Sequence, residues 1–201
     1  DLTGLAPNTL YHYRVHSRDE AGNLATSADF TFMTEPEPVP TYERRVNVAG
    51  AAVTTPDGRS WDADQAYSSG DWGYVASNSG EASTTDEISG TEDDVLYQTN
   101  RYRLDAYRFT VPNDASYLVQ IHFAETYYSE IGKRLFDIEV EGDLIADNLD
   151  IVSSVGHDVA LVYNHEVEVT DGVLDIDFKR VLENPLVNAI EVRSAIDNAP
   201  P

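Results

Sequence analysis

The stretch SYLVQIHFAE, residues 116–125, decides the fold class. In it the apolar residues Val119, Ile121 and Phe123 stand at alternate positions, and His122 lies between the last two. An alternation with a period of two is typical of a β-strand, because successive side chains point to opposite faces of the sheet. We therefore expect a strand here and interpret His122 as a strand residue rather than a ligand.

The same alternation recurs along the chain, whereas no stretch of a dozen residues carries the apolar stripe of a helix. It predicts six further strands, at residues 44–49, 102–111, 134–142, 165–172, 173–180 and 186–194. Turn residues such as Asp171-Gly172 separate them. Seven strands with regular turns predict an all-β fold in which two antiparallel sheets pack face to face as a β-sandwich.

Four segments are expected along the chain. Residues 1–34 contain a strand at 10–19 and the start of another at Phe30. Residues 35–41, EPEPVPT, place prolines at alternate positions, which favours an extended and semi-rigid linker. Residues 42–195 are long enough for a complete sandwich, and residues 196–201 are interpreted as a tail or linker. Within the sandwich, residues 56–94 are rich in Ser, Gly, Asp and Thr and are predicted to form a functional loop system.

Charge and composition exclude several classes of protein. The 201 residues include 13 Lys and Arg against 36 Asp and Glu, a net charge of −23. A protein this acidic is unsuited to nucleic acid or to an anionic membrane surface, because both need clustered basic residues. No apolar run reaches the roughly 18 residues of a membrane-spanning helix, so membrane insertion is not expected. The chain has no cysteine, which excludes disulfides, zinc–thiolate sites and cysteine nucleophiles.

Residues 1–34 resemble the last strands of a fibronectin type III domain. The resemblance is carried by Leu5, Pro7 and Thr9 together with the alternating Tyr11, Tyr13 and Val15, and by Asp19-x-Ala21-Gly22-Asn23 in the turn that follows. In this pattern, called a tyrosine corner, the Tyr11 hydroxyl is expected to bond back to nearby backbone. The resemblance implies a partial immunoglobulin-like sandwich in this segment.

From Val46 onward the chain resembles the malectin family of carbohydrate-binding domains. Colinear blocks over about 150 residues carry the resemblance: Val46-Asn47-Val48-Ala49-Gly50, Asp57-Gly58-x-x-Trp61-x-Ala63-Asp64, Val95-Leu96-Tyr97-Gln98-Thr99-x-Arg101-Tyr102, His122-Phe123-Ala124-Glu125-x-Tyr127-Tyr128, Gly132-Lys133-Arg134-x-Phe136-Asp137, Leu149-Asp150-Ile151, Val155-Gly156-His157 and Glu183-Asn184-Pro185-x-Val187-x-Ala189-Ile190. It implies a jelly-roll-like sandwich that binds glucose oligomers through aromatic residues on loops at one edge.

Carried over position by position, the resemblance implies a carbohydrate site made of four tyrosines and one acid: Tyr74, Tyr102, Tyr127, Tyr128 and Glu183. Tyr67 or Trp72 is the alternative to Tyr74, and Glu125 and Asn184 are secondary candidates. A pyranose ring has an apolar C–H face and a rim of hydroxyl groups, so tyrosine suits both of its surfaces. The alternative is a purely structural role, in which these tyrosines pack in the core. For Trp61, core packing is the favoured interpretation.

An adjacent pair of tyrosines would face opposite sides of a strand. If Tyr127 and Tyr128 contact one ligand, the strand must end before them, and Ser129 to Gly132 supports that ending. The neutral, glucose-containing glycan that the resemblance implies also fits the charge, since an acidic surface repels anionic polysaccharides.

The same residues allow an enzyme or a spacer as alternative functions. Glycoside hydrolysis needs two carboxylates about 5–9 Å apart, such as Glu125 with Glu183 or Asp150, but nothing in the sequence selects a pair. We therefore expect the chain to have no enzyme activity of its own. A role as an accessory module of a glycoside hydrolase stays open. A structural or adhesion spacer in a surface protein is the alternative function.

No cofactor is expected. Asp57, Asp62 and Asp64 offer oxygen ligands of the kind that calcium takes, so a structural calcium ion stays open as an alternative. The expected partners are a glycan and covalently linked neighbouring domains, and the expected location is extracellular or at the cell surface.

Overall fold

A computed structural model describes residues 4–35, 42–112 and 114–195. Apart from residue 35, the predicted linker at 35–41 lies outside the described residues, as does the predicted tail at 196–201. The chain divides into two compact units, Asp1–Val39 and Pro40–Pro201.

Within residues 4–35 the first unit has four strands: β1 (Leu10–Tyr13), β2 (His16–Arg18), β3 (Leu24–Thr26) and β4 (Phe30–Met33). β1 pairs with β4, and β2 pairs with β3, both antiparallel. The single strand predicted at 10–19 is therefore wrong, because it is two strands with different partners. The expected bond of Tyr11 is confirmed, since its hydroxyl oxygen accepts a hydrogen bond from the backbone N–H of Ala6 at 2.7 Å.

The second unit holds fourteen described strands, one short 3₁₀ helix (Asp94–Leu96) and one α-helical turn, α1 (Ile151–Ser154). In chain order the strands are β5 (Glu43–Asn47), β6 (Val53–Thr54), β7 (Ser60–Ala63), β8 (Trp72–Val75), β9 (Gly80–Ser83), β10 (Thr99–Tyr102), β11 (Ala106–Thr110), β12 (Ala115–Phe123), β13 (Leu135–Val140), β14 (Asp143–Leu149), β15 (Leu161–Val169), β16 (Val173–Leu182), β17 (Leu186–Val187) and β18 (Ala189–Ser194).

Two large sheets form the sandwich. One has six strands in the order β15, β12, β18, β5, β7, β6, and the other has five in the order β14, β13, β16, β11, β8. The predicted all-β sandwich is confirmed, with one difference: β5 and β7 run parallel, so the six-stranded sheet is mixed rather than purely antiparallel.

The period-two alternation of β12 fills the space between the sheets. Val119, Ile121 and Phe123 are fully buried and belong to one apolar cluster with Phe136 and Ile138 of the opposite sheet. The rings of Phe123 and Phe136 lie 5.8 Å apart between their centroids. Burial of such side chains stabilises a fold by about 1.5–3 kcal/mol each, so this layer is the main source of stability.

His122 points to the other face of β12, into a second buried cluster with Trp61 and Tyr97. Its Nδ1 lies 2.8 Å from the Tyr97 hydroxyl, and its ring meets the Trp61 ring edge-on at 5.5 Å. Burial, with the charge of Arg59 as a smaller cause, lowers the pKa of His122 to about 4. The interpretation of His122 as a strand residue and of Trp61 as a core residue is confirmed.

The predictions at 102–111 and 186–194 are wrong in one respect, because each segment is broken. Arg103 adopts a left-handed backbone (φ 58°) that ends β10, and Asn188 separates β17 from β18. β10 and β17 do not belong to either large sheet. They form a third sheet with β9, in the order β17, β10, β9. Residues 56–94, predicted as loops, contain the strands β7, β8 and β9.

Candidate functional site

The small third sheet forms one wall of a pocket. Along β10, Thr99 and Arg101 turn toward the sandwich, where the Thr99 hydroxyl donates to the Val48 carbonyl and Arg101 binds Asp64. Asn100 and Tyr102, at the alternate positions, therefore face the pocket.

Gly80 fixes how the Tyr102 ring lies. It stands directly opposite Tyr102 in the register of β9 and β10. A Cβ atom at Gly80 would overlap the Tyr102 ring. The ring thus lies flat over the neighbouring strand because that strand has no side chain there.

The turn that follows β12 presents Tyr127 and Tyr128. β12 ends at Phe123, as the adjacent tyrosines require. One carboxylate oxygen of Glu125 accepts the backbone N–H groups of Tyr127 at 3.0 Å and Tyr128 at 3.1 Å. The two rings meet edge to face with 4.8 Å between centroids, and Tyr127 is 77% exposed.

Arg134 connects this turn to a second loop. Its Nε donates to the other oxygen of Glu125 at 2.6 Å, its Nη1 donates to the Asn184 carbonyl, and its guanidinium carbon lies 5.2 Å from the centre of the Tyr128 ring. Glu125 is only 1% exposed, so the ion pair is buried. One arginine therefore holds together the two loops that carry the predicted aromatic pair and the predicted acid, Glu183.

Glu183 itself adopts a left-handed backbone with φ 61°. Such a conformation is uncommon for a residue with a Cβ atom and costs about 1 kcal/mol or more. Seven other non-glycine residues in the described part of the chain share this conformation, so at Glu183 it shapes the loop and does not by itself mark a site.

These elements enclose a pocket of about 330 Å³. Tyrosines, small residues, carboxylates and amides line it, and its members are Glu81, Ala82, Asn100, Tyr102, Glu125, Thr126, Tyr127, Tyr128, Arg134, Glu183, Asn184 and Leu186.

Six of the nine residues predicted from the sequence lie together at this pocket: Tyr102, Tyr127, Tyr128, Glu183, Glu125 and Asn184. The structure does not bring the other three to it. Tyr74 lies under the guanidinium of Arg101, whose central carbon is 3.6 Å from the ring centre, Trp72 is buried against Phe109 in the core, and Tyr67 lies near Arg108.

Sequence reasoning missed the other lining residues, of which Asn100 and Arg134 matter most. A signal existed for Asn100, because it stands two positions before Tyr102 and so shares its strand face. Arg134 belongs to a block quoted above for the family resemblance, but its role depends on contacts with Glu125 and residue 184 that no local pattern reveals.

The three aspartates considered for calcium each engage an arginine: Asp57 pairs with Arg59, Asp62 with Arg44, and Asp64 with Arg101. Within residues 4–35, 42–112 and 114–195, no group of three or more His, Cys, Asp or Glu side chains is arranged to hold a metal ion. In the same described ranges, no helix is long and apolar enough to cross a membrane.

Chemically, the pocket offers aromatic faces, the free carboxylate of Glu183 and the carboxamides of Asn100 and Asn184. Its one cation among the lining residues, Arg134, is committed to Glu125. Such a lining suits a neutral molecule with apolar faces and many hydroxyl groups, because tyrosines cover the former while carboxylates and amides bind the latter.

Comparison with known proteins places residues 42–200 in the match to a single family model, the malectin domain. Malectin-B of Xenopus laevis is 33% identical over 129 residues, which cover 56% of this chain and 47% of that protein. The human malectin is 31% identical over an equal length, covering 44% of that protein. The chain thus spans about half the length of the curated relatives it matches.

The solved structures that resemble the fold include a bacterial enzyme and a plant ectodomain. A β-glucuronidase of Bacteroides uniformis superimposes with a TM-score of 0.71 at 23% identity, over 94% of this chain and 23% of the enzyme. The ANX2 ectodomain of Arabidopsis thaliana gives 0.63 at 17% identity, over 75% of this chain and 49% of that one. At these identities the likeness shows the fold alone.

Proposed function

The chain belongs to the malectin domain family through residues 42–200, and from that premise we propose that it is a non-catalytic carbohydrate-binding module. Its ligand is a neutral, glucose-containing oligosaccharide or polysaccharide. Tyr102, Tyr127 and Tyr128 contact the sugar faces, and Glu183 accepts hydrogen bonds from hydroxyl groups.

The observation that carries the proposal is the pair Tyr127 and Tyr128. Tyr127 is 77% exposed, its ring contacts that of Tyr128, and the pair projects beside a pocket with a free carboxylate. An exposed aromatic surface rimmed by polar groups is typical of a binding site. The Glu125 carboxylate holds both backbone N–H groups of the pair, so the rings are presented by a fixed turn. A preformed aromatic surface loses little entropy when it binds a ligand.

Charge supports a neutral glycan over an anionic one. The lining includes the carboxylates of Glu81, Glu125 and Glu183, against the single guanidinium of Arg134. The whole chain carries −23. A sulfated or uronate-rich polymer would be repelled by this field before it reached the pocket.

The arrangement argues against a glycosidase. Both oxygens of Glu125 are occupied by backbone N–H groups and by Arg134, so this carboxylate is not free to protonate a glycosidic oxygen or to attack a sugar. That leaves Glu183 as the uncommitted acid of the candidate pair, and one carboxylate does not supply the two roles that the reaction needs.

We further propose that the module belongs to a larger secreted or surface protein. The fold recurs within a quarter of the length of a β-glucuronidase and within half of a plant receptor ectodomain, which supports a role as one domain among several. A fibronectin type III remnant in residues 1–34 fits the same picture and is supported by the hydrogen bond between Ala6 and Tyr11. On this proposal the module serves as an accessory to a glycoside hydrolase or as part of a surface protein.

Calorimetric titration with maltotriose, cellotriose and laminaritriose tests the function. We expect weak binding to at least one of them, and at least a tenfold loss in Tyr127→Ala and in Tyr128→Ala. The thermal midpoint of Tyr127→Ala should stay unchanged because its ring is exposed.

Tyr67→Ala is the matched control, since Tyr67 is a half-buried loop tyrosine outside the pocket, and it should bind as the unmodified protein does. Absence of binding to all three sugars would favour the spacer function instead. Binding that survives both pocket substitutions would place the ligand elsewhere.

A further inference from the structure

Asn100 is a buried amide without a protein partner. It is 4% exposed, it lines the pocket, and its carboxamide makes no hydrogen bond within the part of the chain that the structure describes. Its amide atoms are not among the described polar atoms that are both sealed from solvent and unpaired, so they are accessible from the pocket. A pocket amide without a protein partner is available to bind a ligand or water.

Asn188 shows what a structural asparagine looks like in the same region. It is fully buried, its Oδ1 accepts the N–H of Ala124 at 2.8 Å, and its Nδ2 donates to the carbonyls of Tyr97 and Thr99 at 2.7 and 2.9 Å. Asn188 thus uses both its oxygen and its nitrogen on three backbone groups, whereas Asn100 uses neither.

The space next to Asn100 is kept open by small residues. Ala82 stands directly opposite it in the register of β9 and β10, and Gly80 stands opposite Tyr102. Neither reaches across to the carboxamide with a polar group. The amide therefore faces the pocket on the same strand face as Tyr102.

The chemistry of the amide complements the rest of the pocket. The carboxylate of Glu183 accepts hydrogen bonds, and Arg134 uses its Nε and Nη1 donors on Glu125 and on the Asn184 carbonyl. A carboxamide offers two donors and an acceptor from one planar group, which matches a pair of neighbouring hydroxyl groups on a sugar.

We propose that Asn100 is a ligand-binding residue that determines specificity, because its carboxamide hydrogen-bonds hydroxyl groups of the glycan at the floor of the pocket. This inference rests on the proposed carbohydrate-binding function. A site built to hydrogen-bond a hydroxyl group rejects an analogue that lacks it, since the polar group of the protein is then left unpaired. Asn100 thus selects sugars by the hydroxyl pattern of the unit that reaches it.

The test uses Asn100→Leu, which keeps the approximate volume and removes all hydrogen bonding. Maltotriose, cellotriose and laminaritriose are titrated into the full chain by calorimetry, and thermal midpoints are measured in parallel. We expect the variant to bind at least tenfold more weakly, with a thermal midpoint equal to or above that of the unmodified protein. Asn188→Leu is the matched control and should lower the midpoint by several degrees because it leaves three backbone groups unpaired.

Monodeoxy derivatives of the bound sugar provide a second readout. Removal of the hydroxyl group that Asn100 contacts should weaken binding to the unmodified protein and should have little further effect on Asn100→Leu. A purely structural residue would not produce this dependence on one hydroxyl group.

Three results would overturn the inference, and they are distinguishable. If the unmodified protein binds none of the sugars, the proposed function and the inference fail together. If it binds and Asn100→Leu binds equally well, only the inference fails. If Asn100→Leu lowers the thermal midpoint as Asn188→Leu does, Asn100 is a structural residue.

Discussion

Replacement of Glu125 by glutamine should destabilise the second unit and weaken glycan binding together. Glu125 is 1% exposed, and Arg134, its partner at 2.6 Å, is also largely buried. The amide of Glu125→Gln keeps an oxygen for the N–H groups of Tyr127 and Tyr128 but cannot compensate the charge of Arg134. Removal of one partner of a buried ion pair typically costs 3–5 kcal/mol.

We expect a cost of about 3 kcal/mol, at the lower end of that range. The reason is that Arg134 keeps two other contacts, the Asn184 carbonyl and the face of the Tyr128 ring. Arg134→Met should cost about as much, since the Glu125 carboxylate keeps only its two backbone donors. The double variant leaves no unpaired charge, so its cost should fall short of the sum of the two single costs by about 2 kcal/mol.

Urea unfolding followed by tryptophan fluorescence measures these free energies in the right part of the molecule. Both tryptophans of the chain, Trp61 and Trp72, are buried in the second unit. Calorimetry with the trisaccharides measures binding, which should weaken at least tenfold in Glu125→Gln because the turn that presents the tyrosine pair loses its anchor.

Glu130 and Lys133 provide the matched control. They form an ion pair at 2.9 Å in the same loop, but both side chains are exposed. Exposed pairs contribute little to stability, so Glu130→Gln and Lys133→Met should change neither unfolding nor binding measurably. The reasoning is refuted if Glu125→Gln behaves like these controls, or if the costs of the two buried substitutions add without coupling.

Two further perturbations test the wall of the pocket and the second buried cluster. Gly80→Ala should tilt the Tyr102 ring away from its strand, reduce stability by about 1–3 kcal/mol through overpacking and weaken sugar binding about tenfold. Ser83→Ala, on the same strand, should change neither stability nor binding. A calorimetric titration that finds equal affinities for Gly80→Ala and the unmodified protein would contradict the assigned contact. His122, whose pKa falls from 6.5 to about 4 on folding, stabilises the protein fully above pH 6.5, and this contribution is lost as the pH falls toward 4. At about 1.4 kcal/mol per pH unit, the loss is about 3 kcal/mol. The urea midpoint of His122→Gln should therefore decline less steeply than that of the unmodified protein between pH 6.5 and 4. Parallel declines would show that His122 does not titrate in this way.

Much of the fold could be predicted because it depends on local pattern. The alternation in β12 identified the strand, its buried face and the place of His122 without any long-range information. The breaks at Arg103 and Asn188 could not be predicted in this way. Arg103 ends a strand through a left-handed backbone conformation that its residue type does not predict. Asn188 interrupts the next segment and forms hydrogen bonds to residues 64 to 91 positions away.

The candidate site divides along the same line. Tyr127 and Tyr128 were implied by the family resemblance, and the adjacent residues added that a turn must begin there if both rings serve one ligand. Tyr74 was implied by the resemblance, at a place where the spacing of the match is loose, and its position under Arg101 depends on the pairing of distant strands. Asn100 was not identified because the predicted strand begins at residue 102, whereas β10 spans Thr99–Tyr102 and places Asn100 on the face of Tyr102. Its isolation becomes visible only when Ala82 is placed opposite it.

The buried pair of Glu125 and Arg134 is better understood as a positioning device than as a source of stability. A buried ion pair is often no more stabilising than well-packed apolar side chains of similar volume, because desolvation offsets the attraction between the charges. An apolar pair at this position would fill the space, but it would not bind the N–H groups of Tyr127 and Tyr128 on one side and the carbonyl next to Glu183 on the other. Because the pair joins both loops to one another, the distance between the aromatic surface and the acceptor carboxylate is fixed before a ligand arrives. The same pairing neutralises the single cation of the pocket lining. On the proposed function, Glu183 and Asn100 are then left to select among neutral sugars.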